Sequence, residues 1–491
     1  MKNEKTLVKN SIFYTASTLI CMVIPLAIYP YITRVLGPEN YGKFSFAQNL
    51  VTYFTILSTL GLRQYAQRMC SSRKDEQEMS KIVKSLLTIS GSLTLLAVVI
   101  YAAVVYFLRV ATGEAWVYVA FGGMIVFSSL GLDWLIEATE CFAFASVRNT
   151  VTRLLLPICA LWLVTQKSDY AVYALVYTAC YSILPAVMNY VHLSRKRLIS
   201  FRGLCHSEVE VREHLGPIFF LALVTIGSKI FSGMDVMMLR FMRDDTTVGL
   251  YTNAIKLPLV MDELLMAVAA VITPRLYAAV REERPDEAKS LIHYASNTMF
   301  FFAVPALLTF TFFSKELVLL IAGSEYVSGH PILIVYSFIM FTTLCLTLGG
   351  TRMFIAKGKE KQLFAILLMA GGFNAFLNYL LIPVWGGLGA AVASILANVC
   401  MFIVEATYIR SWGLIFDRDK FKYLVAGVVL AGLFVCVKQL PLTIGAFPMV
   451  ALAVVVGGVC YVLVLALVRE PTVVRMFAAV KGLPAKLCKK K

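Results

Sequence analysis

The charged residues that lie deepest in apolar sequence suggest an anion site beside a pair of carboxylates. Lys229 lies near the middle of one apolar stretch, and Asp262 and Glu263 lie near the middle of the next. Lys256 precedes Glu263 by 7 residues, about two helical turns, so these two residues share one helix face. Two interpretations stay open. Either the lysines bind an anionic ligand while Glu263 or Asp262 pairs with them and carries a coupling proton, or a Lys–Glu pair only locks two helices together.

The elements that must position these charges are apolar stretches long enough to cross a membrane. Apolar residues make up 59% of the chain, its mean hydropathy is +0.77, and one membrane span needs about 20 apolar residues. The sequence therefore predicts an all-α polytopic membrane protein with about 14 transmembrane helices. The predicted spans are 11–33, 42–62, 82–108, 115–136, 149–166, 169–192, 215–239, 249–273, 290–313, 331–351, 362–382, 388–409, 423–440 and 445–468.

The pieces between the predicted spans alternate between strongly basic and nearly uncharged. With the N-terminus counted as inside, 34 of the 45 Lys and Arg residues lie inside and 8 lie outside. Because basic loops resist translocation, this asymmetry predicts a multi-pass protein with cytoplasmic N- and C-termini. The same distribution explains the net charge of +16 as topology signals that favour anionic lipid headgroups, and not as a nucleic-acid surface.

Five further charged residues are candidates for ligand or ion contact. Arg34 and Lys43 flank the first predicted outer hairpin, while Arg63 and Arg68 lie at the predicted cytoplasmic mouth after the second span. All four could equally be interface anchors or topology signals. Asp235, two-thirds of the way along the seventh span, could coordinate a cation, although a structural pairing is the favoured interpretation.

A second group of charges is interpreted mainly as structural. Asp133, Glu137 and Glu140 lie at the end of the fourth predicted span, close in sequence to Arg148 and Arg153. We expect these carboxylates to pair with one or both arginines across the short turn.

Two predicted outer hairpins repeat one another weakly. A shift of 207 residues pairs Gly42 with Gly249, Phe44 with Tyr251, Ala47 with Ala254, and Leu50 with Leu257. Both hairpins follow the first helix of a six-helix half, so the sequence predicts parallel repeats. The predicted division is a six-helix bundle at 1–200, a second at 201–410, and two additional helices with a basic tail at 411–491.

The sequence offers no pattern of an enzyme or a metal site. The 11 cysteines include no CxxC pair, so they predict neither a disulfide framework nor a metal site, and the chain lacks a Walker loop and an HExxH motif. A membrane enzyme whose catalytic residues lie in a large outer loop is also not favoured, because the outer pieces here are short. We therefore expect neither catalysis nor a cofactor.

An ordered set of short motifs resembles the bacterial polysaccharide exporters, the O-antigen flippases called Wzx, of the multidrug/oligosaccharidyl-lipid/polysaccharide exporter superfamily. The motifs are residues 33–42, Gly61-Leu62-Arg63 with Arg68, Asp133-Trp134-Leu135 through Arg148, Val248-Gly249-Leu250-Tyr251, Lys357-Gly358-Lys359, Asn374 with Asn378, and 382–391. The resemblance runs from about residue 5 to residue 410.

The resemblance implies two six-helix bundles around a central cavity in a bacterial inner membrane. It implies movement of a polyprenyl-pyrophosphate-linked oligosaccharide from the cytoplasmic to the outer leaflet by alternating access, the cargo being an O-antigen, capsule or exopolysaccharide repeat unit. Lys229 and Lys256 would then help to bind the pyrophosphate. The implied partners are that lipid-linked substrate, membrane lipids, and a polysaccharide polymerase with its chain-length machinery. An ion-coupled multidrug or metabolite antiporter is the alternative; a non-transporting scaffold would leave the buried charges unexplained.

Overall fold

The computed structural model describes residues 2–59, 61–62, 65–66, 69, 76–139, 141–195, 233–415, 417–439 and 445–474, with only the backbone at 2–20, 22–23, 76–80, 111–112 and 418. These ranges contain helices and no β-strand. The chain divides into two compact units, Met1–Gly249 and Leu250–Lys491.

The first unit is built from long apolar helices. Its elements are α1 (Lys2–Thr59), α2 (Glu76–Thr112), α3 (Trp116–Leu130), α4 (Asp133–Ala138), α5 (Phe142–Leu163), a 3₁₀ turn (Lys167–Asp169), α6 (Tyr170–Thr178), a π-helical turn (Ala179–Ile183), α7 (Leu184–Arg195) and a helical stretch at 233–242. Helix α8 (Asp245–Ala254) begins in this unit and continues into the second.

Helix α1 is two helices joined at a single residue. Gly37 has φ 71° and ψ 171°, a conformation outside the helical region that glycine adopts without a steric penalty. Pro38 follows at the first helical position after the break, where its missing N–H removes no hydrogen bond. The predicted spans 11–33 and 42–62 lie on either side of this break.

Hydroxyl groups tie three helices of the first unit together. Ser129 Oγ of α3 lies 2.6 Å from Ser90 Oγ of α2, accepts a hydrogen bond from Thr94 Oγ1 at 2.8 Å, and donates one to the Ser58 carbonyl of α1 at 3.0 Å. All four residues are buried. Small hydroxyl side chains let membrane helices approach closely and hydrogen-bond across the interface.

The second unit continues the all-helical pattern. Its elements are α9 (Lys256–Arg281), α10 (Pro285–Phe312), α11 (Ser314–Ala322), a 3₁₀ turn (Ser324–Gly329), α12 (His330–Tyr336), α13 (Ile339–Cys345), a π-helical turn (Leu346–Thr351), α14 (Arg352–Ala356), α15 (Glu360–Trp385), α16 (Gly387–Ile409), α17 (Trp412–Ile415), α18 (Arg418–Gln439) and α19 (Ala446–Leu467).

The last two helices pack onto the second unit through an aromatic core. Phe434 of α18 lies in edge-to-face contact with Phe313, their ring centroids 5.1 Å apart, and Tyr461 of α19 contacts Phe301 of α10 at 5.9 Å. Gly457 of α19 permits the close approach, because a Cβ atom there would lie 2.7 Å from the Phe434 ring. The two C-terminal helices therefore share one hydrophobic core with α10.

Nine helices in the described ranges are long and apolar enough to cross a membrane. Each overlaps one predicted span; Glu360–Trp385 and Gly387–Ile409, for example, match the predictions 362–382 and 388–409. The chain is thus an all-α, multi-pass membrane protein, as predicted. Most of the predicted span 215–239 lies outside the described residues.

Candidate functional site

A half-buried arginine on an aromatic stack is the most distinctive charged feature of the first unit. The guanidinium carbon of Arg153, in α5, lies 3.2 Å from the ring centroid of Tyr181, and that ring stacks on Tyr177 with centroids 4.0 Å apart and planes 11° apart. Arg153 Nη1 is buried and has no hydrogen-bond partner among the described residues. The cation is therefore held by the face of an aromatic ring and keeps N–H donors for a ligand.

The local helix geometry explains this stack. Tyr173, Tyr177 and Tyr181 recur every four residues, so they lie on one face of α6 and its continuation. The π-helical turn Ala179–Ile183 separates Tyr177 from the following helix α7. Such single π turns are common at functional sites because they reorient the side chains that follow.

The aromatic stack continues towards α1 through Phe44. The Phe44 ring centroid lies 4.6 Å from that of Tyr173, 5.3 Å from Phe121, 5.8 Å from Tyr177 and 5.9 Å from Tyr41. The result is a continuous aromatic column inside the first unit, with Arg153 at one end. Sequence patterns could not separate these rings from ordinary membrane-interface aromatics.

The neighbouring arginine on the same helix has a different environment. Arg148 Nη1 lies 2.5 Å from Asp133 Oδ1 and from Asn189 Oδ1, and Asn189 Nδ2 donates to Asp133 Oδ1 at 2.8 Å. This network joins α4, α5 and α7, and it confirms the predicted pairing of Asp133 with Arg148. Arg148 is consequently a structural residue, whereas Arg153 is available for a ligand.

The two glycines related by the predicted repeat contact each other's hairpins reciprocally. A Cβ atom on Gly42 would lie 1.8 Å from the Asp245 carbonyl oxygen, and one on Gly249 would lie 1.9 Å from the Pro38 carbonyl oxygen. Each glycine thus faces the residue that stands four positions before the other glycine. Only hydrogen fits in the space between these backbones, so both positions require glycine.

Ion pairs surround this glycine contact. Lys43 Nζ lies 3.1 Å from Glu39 Oε1 and 2.8 Å from Glu114 Oε1, and Arg240 Nε lies 2.5 Å from Asp245 Oδ1. Lys43, predicted as a ligand-binding cation, is therefore engaged with two carboxylates. The other predicted cation of this hairpin, Arg34, is exposed.

Asp245 gives this hairpin contact a pH dependence. Burial raises the pKa of the Asp245 carboxyl to about 6 from 3.8, although Arg240 and Lys43 oppose the shift. Because the folded protein holds this proton more tightly, the stabilising contribution is fully present below about pH 4 and is lost as the pH rises through about 6. We expect the melting temperature of the wild type to fall across this window relative to that of Asp245→Asn.

The measurement is a thermal unfolding series of both proteins from pH 4 to pH 7. Asp244→Asn is the matched control, because Asp244 is exposed and asparagine preserves its cap on the Thr247 N–H. A constant difference in melting temperature between wild type and Asp245→Asn across the window would contradict this prediction.

In the second unit, α9 carries the three predicted residues that the structure describes there. Lys256 is half-buried and interacts electrostatically with Glu263, which is exposed. Asp262 is half-buried and shares a hydrogen bond with the side chain of Thr343, while its Oδ1 is buried without a hydrogen-bond partner in the described part of the chain. This interaction accords with the shared helix face that the spacing predicts, and the roles of the two residues stay predictions.

Of the four remaining predicted site residues, the structure describes only Asp235. Asp235 is buried at 6% exposure and acts electrostatically on Tyr53 of α1, while a Cβ atom on nearby Gly233 would lie 2.4 Å from the Tyr53 hydroxyl oxygen. The other three predicted cations, Lys229, Arg63 and Arg68, lie outside the described residues.

The sequence analysis missed a carboxylic acid inside α16. Glu405 is 0% exposed; its Oε1 lies 3.5 Å from Thr351 Oγ1, and its Oε2 is buried without a partner among the described residues. Gly350, in the π-helical turn, provides the space, because a Cβ atom there would lie 1.7 Å from Oε2. A single acid within an otherwise apolar span was the signal that could have found it.

Comparison with known proteins finds a matching family and several relatives. The model of a family described as "Polysaccharide biosynthesis protein" matches residues 7–280. A protein described as "Putative O-antigen transporter" from Escherichia coli (strain K12) is 20% identical over 400 residues, 81% of this chain and 95% of that protein. The "Probable low-salt glycan biosynthesis flippase Agl15" of Haloferax volcanii is 24% identical over 223 residues, 44% of this chain and 46% of that protein.

A solved structure supports the same fold. The structure described as "Lipid II flippase MurJ, inward closed conformation" superposes with a TM-score of 0.74 at 13% identity, covering 93% of this chain and 98% of that one. At this identity the likeness concerns the fold alone.

Proposed function

This chain belongs to the polysaccharide biosynthesis protein family, and from that premise we propose that it is a flippase for lipid-linked oligosaccharides. The cargo would be a polyprenyl-pyrophosphate-linked repeat unit of O-antigen, capsule or exopolysaccharide, moved from the cytoplasmic to the outer leaflet of the bacterial inner membrane. Two relatives that are described as an O-antigen transporter and a glycan flippase support this substrate class.

The single observation that carries the proposal is Arg153 on its tyrosine stack. A charge inside a membrane protein is costly, and such residues are usually retained for function. The Arg153 guanidinium retains a buried N–H group for a ligand, and its planar fork suits the oxygens of a phosphate. Tyr177 and Tyr181 offer flat apolar faces beside that cation, on which the sugar next to the pyrophosphate could pack.

We extend the proposal to the other predicted residues. Lys229, Lys256, Arg63, Arg68, Arg34 and Lys43 would contact the pyrophosphate along its path, and Glu263, Asp262 and Asp235 would serve coupling or charge pairing. Of these, Asp262 has the strongest support, because its buried Oδ1 lacks a hydrogen-bond partner in the described residues. The six-helix bundles 1–200 and 201–410 would rock about the bound headgroup.

The orientation and partners follow from the same proposal. The distribution of Lys and Arg supports cytoplasmic N- and C-termini, so the hairpins that contain Gly42 and Gly249 would face outward. A polysaccharide polymerase and its chain-length machinery would then use the product on that side.

Deletion of the gene tests the proposed function. We expect lipid-linked repeat units to accumulate in the inner leaflet, because their synthesis continues while their translocation stops. The measurement is extraction of labelled lipid-linked sugars, combined with the accessibility of these sugars to a membrane-impermeant probe in spheroplasts. The wild-type gene on a plasmid should restore surface glycan.

Two other results would contradict the flippase. Unchanged levels and sidedness of lipid-linked sugars would remove the proposed substrate class. Altered resistance to cationic dyes without any glycan phenotype would instead support an ion-coupled drug or metabolite antiporter.

A further inference from the structure

The membrane-facing side of the first unit contains an apolar groove between α2 and α3. The groove encloses about 510 Å³ and is lined by Val98, Ala102, Val105 and Arg109 of α2 and by Val119 and Val126 of α3, among others. Arg109 is its charged lining residue. None of these residues has a role in the proposed transport mechanism.

The length of the groove corresponds to one leaflet. Val98 and Arg109 are 11 residues apart on α2, which is about 16 Å along a helix axis. Half of a hydrocarbon core of roughly 30 Å is about 15 Å. The groove therefore reaches from near the bilayer centre to the level of the headgroups, and Arg109 lies at its headgroup end.

Residues around Arg109 have the exposure pattern of a membrane interface. Trp116 is 79% exposed, and Tyr106 is 64% exposed. Aromatic side chains with a polar edge concentrate at that depth of a bilayer. Tyr106 lies one helical turn before Arg109, and Trp116 lies across the short turn that follows α2.

The charge of Arg109 is not used within the described part of the protein. Its side chain is exposed and has no ion-pair or hydrogen-bond partner there. The nearest acidic residue in sequence, Glu114, pairs with Lys43 at 2.8 Å. Arg109 consequently presents an uncompensated cation at the mouth of an apolar channel, a combination that complements an anionic headgroup on an acyl chain.

We propose that this groove binds one anionic phospholipid, with an acyl chain between α2 and α3 and its phosphate on Arg109. In the orientation proposed above, this lipid belongs to the outer leaflet. The site is separate from Arg153 and its tyrosine stack, so lipid binding can be tested without a transport assay.

The test uses the full-length purified protein in detergent and native mass spectrometry with dioleoyl phosphatidylglycerol or dioleoyl phosphatidylcholine. We expect wild type to bind the anionic lipid more tightly. Arg109→Gln should weaken this binding by about fivefold, which corresponds to about 1 kcal/mol for one basic residue at an anionic headgroup. Arg281→Gln is the matched control, because Arg281 is also an exposed arginine in the last turn of its helix.

A pair of adjacent alanines tests the groove itself. Ala102 lines the groove, whereas Ala103 is also exposed and does not line it. Ala102→Trp should weaken phosphatidylglycerol binding while Ala103→Trp leaves it unchanged. Equal binding of the two lipids by wild type, or unchanged binding by Arg109→Gln, would overturn the proposal, as would tighter binding of a polyprenyl phosphate than of phosphatidylglycerol.

Discussion

Replacing Gly42 with leucine is expected to reduce export by about tenfold or more. The added Cβ atom would lie 1.8 Å from the Asp245 carbonyl oxygen and 2.9 Å from the Gly249 nitrogen, so backbone would have to move. Overpacking of this kind costs about 1–3 kcal/mol. A free-energy change of that size shifts an equilibrium between the hairpins in contact and the hairpins apart by about 5–150-fold. If the transport cycle needs this contact to form, the variant would stay in the state without the contact.

The measurement is surface glycan per cell, normalised to the amount of protein in the membrane. Gly249→Leu should reproduce the defect, because its Cβ atom would lie 1.9 Å from the Pro38 carbonyl oxygen. Gly91→Leu is the control: it lies in a membrane helix of the same unit, and no atom lies within 4 Å of its added Cβ. Full export by Gly42→Leu would show that transport does not need this contact to close.

Two arginines five residues apart on α5 should respond differently to substitution, one in export and the other in protein stability. Arg153→Gln is expected to lower export by about 10–100-fold at normal protein level, because hydrogen bonds to charged groups contribute about 1.5–3 kcal/mol. Arg153→Lys should recover only part of the loss, because lysine lacks the planar fork and the ring contact of the guanidinium.

Arg148→Gln should instead lower the stability of the protein. It removes the partner of Asp133 and of Asn189 at once, and the expected loss is about 2 kcal/mol of unfolding free energy. Fluorescence-detected size-exclusion chromatography after heating separates this from a transport defect. An Arg153→Gln variant that unfolds at a lower temperature would show that Arg153 is a structural residue. One that exports normally would show that transport does not need Arg153.

The sequence predicted the helices well because hydrophobicity over about 20 residues determines which segments enter a membrane. The sequence also aligned Gly42 with Gly249 in the predicted repeat, and the structure adds that only hydrogen fits at either position. The pairing of Asp133 with Arg148 was accessible because both lie near one short turn. Local patterns of this kind survive without knowledge of the tertiary structure.

The features that the sequence could not predict depend on neighbours distant in the chain. Arg153 is a single cation inside an apolar stretch, and only the tertiary structure shows that it meets the ring of Tyr181, 28 residues later in the chain. Glu405 owes its position to a glycine in a π-helical turn 55 residues earlier. Hydropathy does not report helix phase, and a π turn changes that phase within a continuous span.

The single-residue break in α1 limits how its two helical segments can move. Gly37 alone connects them, and Pro38 fixes the first backbone torsion of the second segment. Because a single residue links the two segments, one segment cannot slide past the other and can only rotate about Gly37. Any displacement of the Gly42 end must then appear as a tilt of its own segment about Gly37, which changes the angle to the preceding segment that contains Arg34.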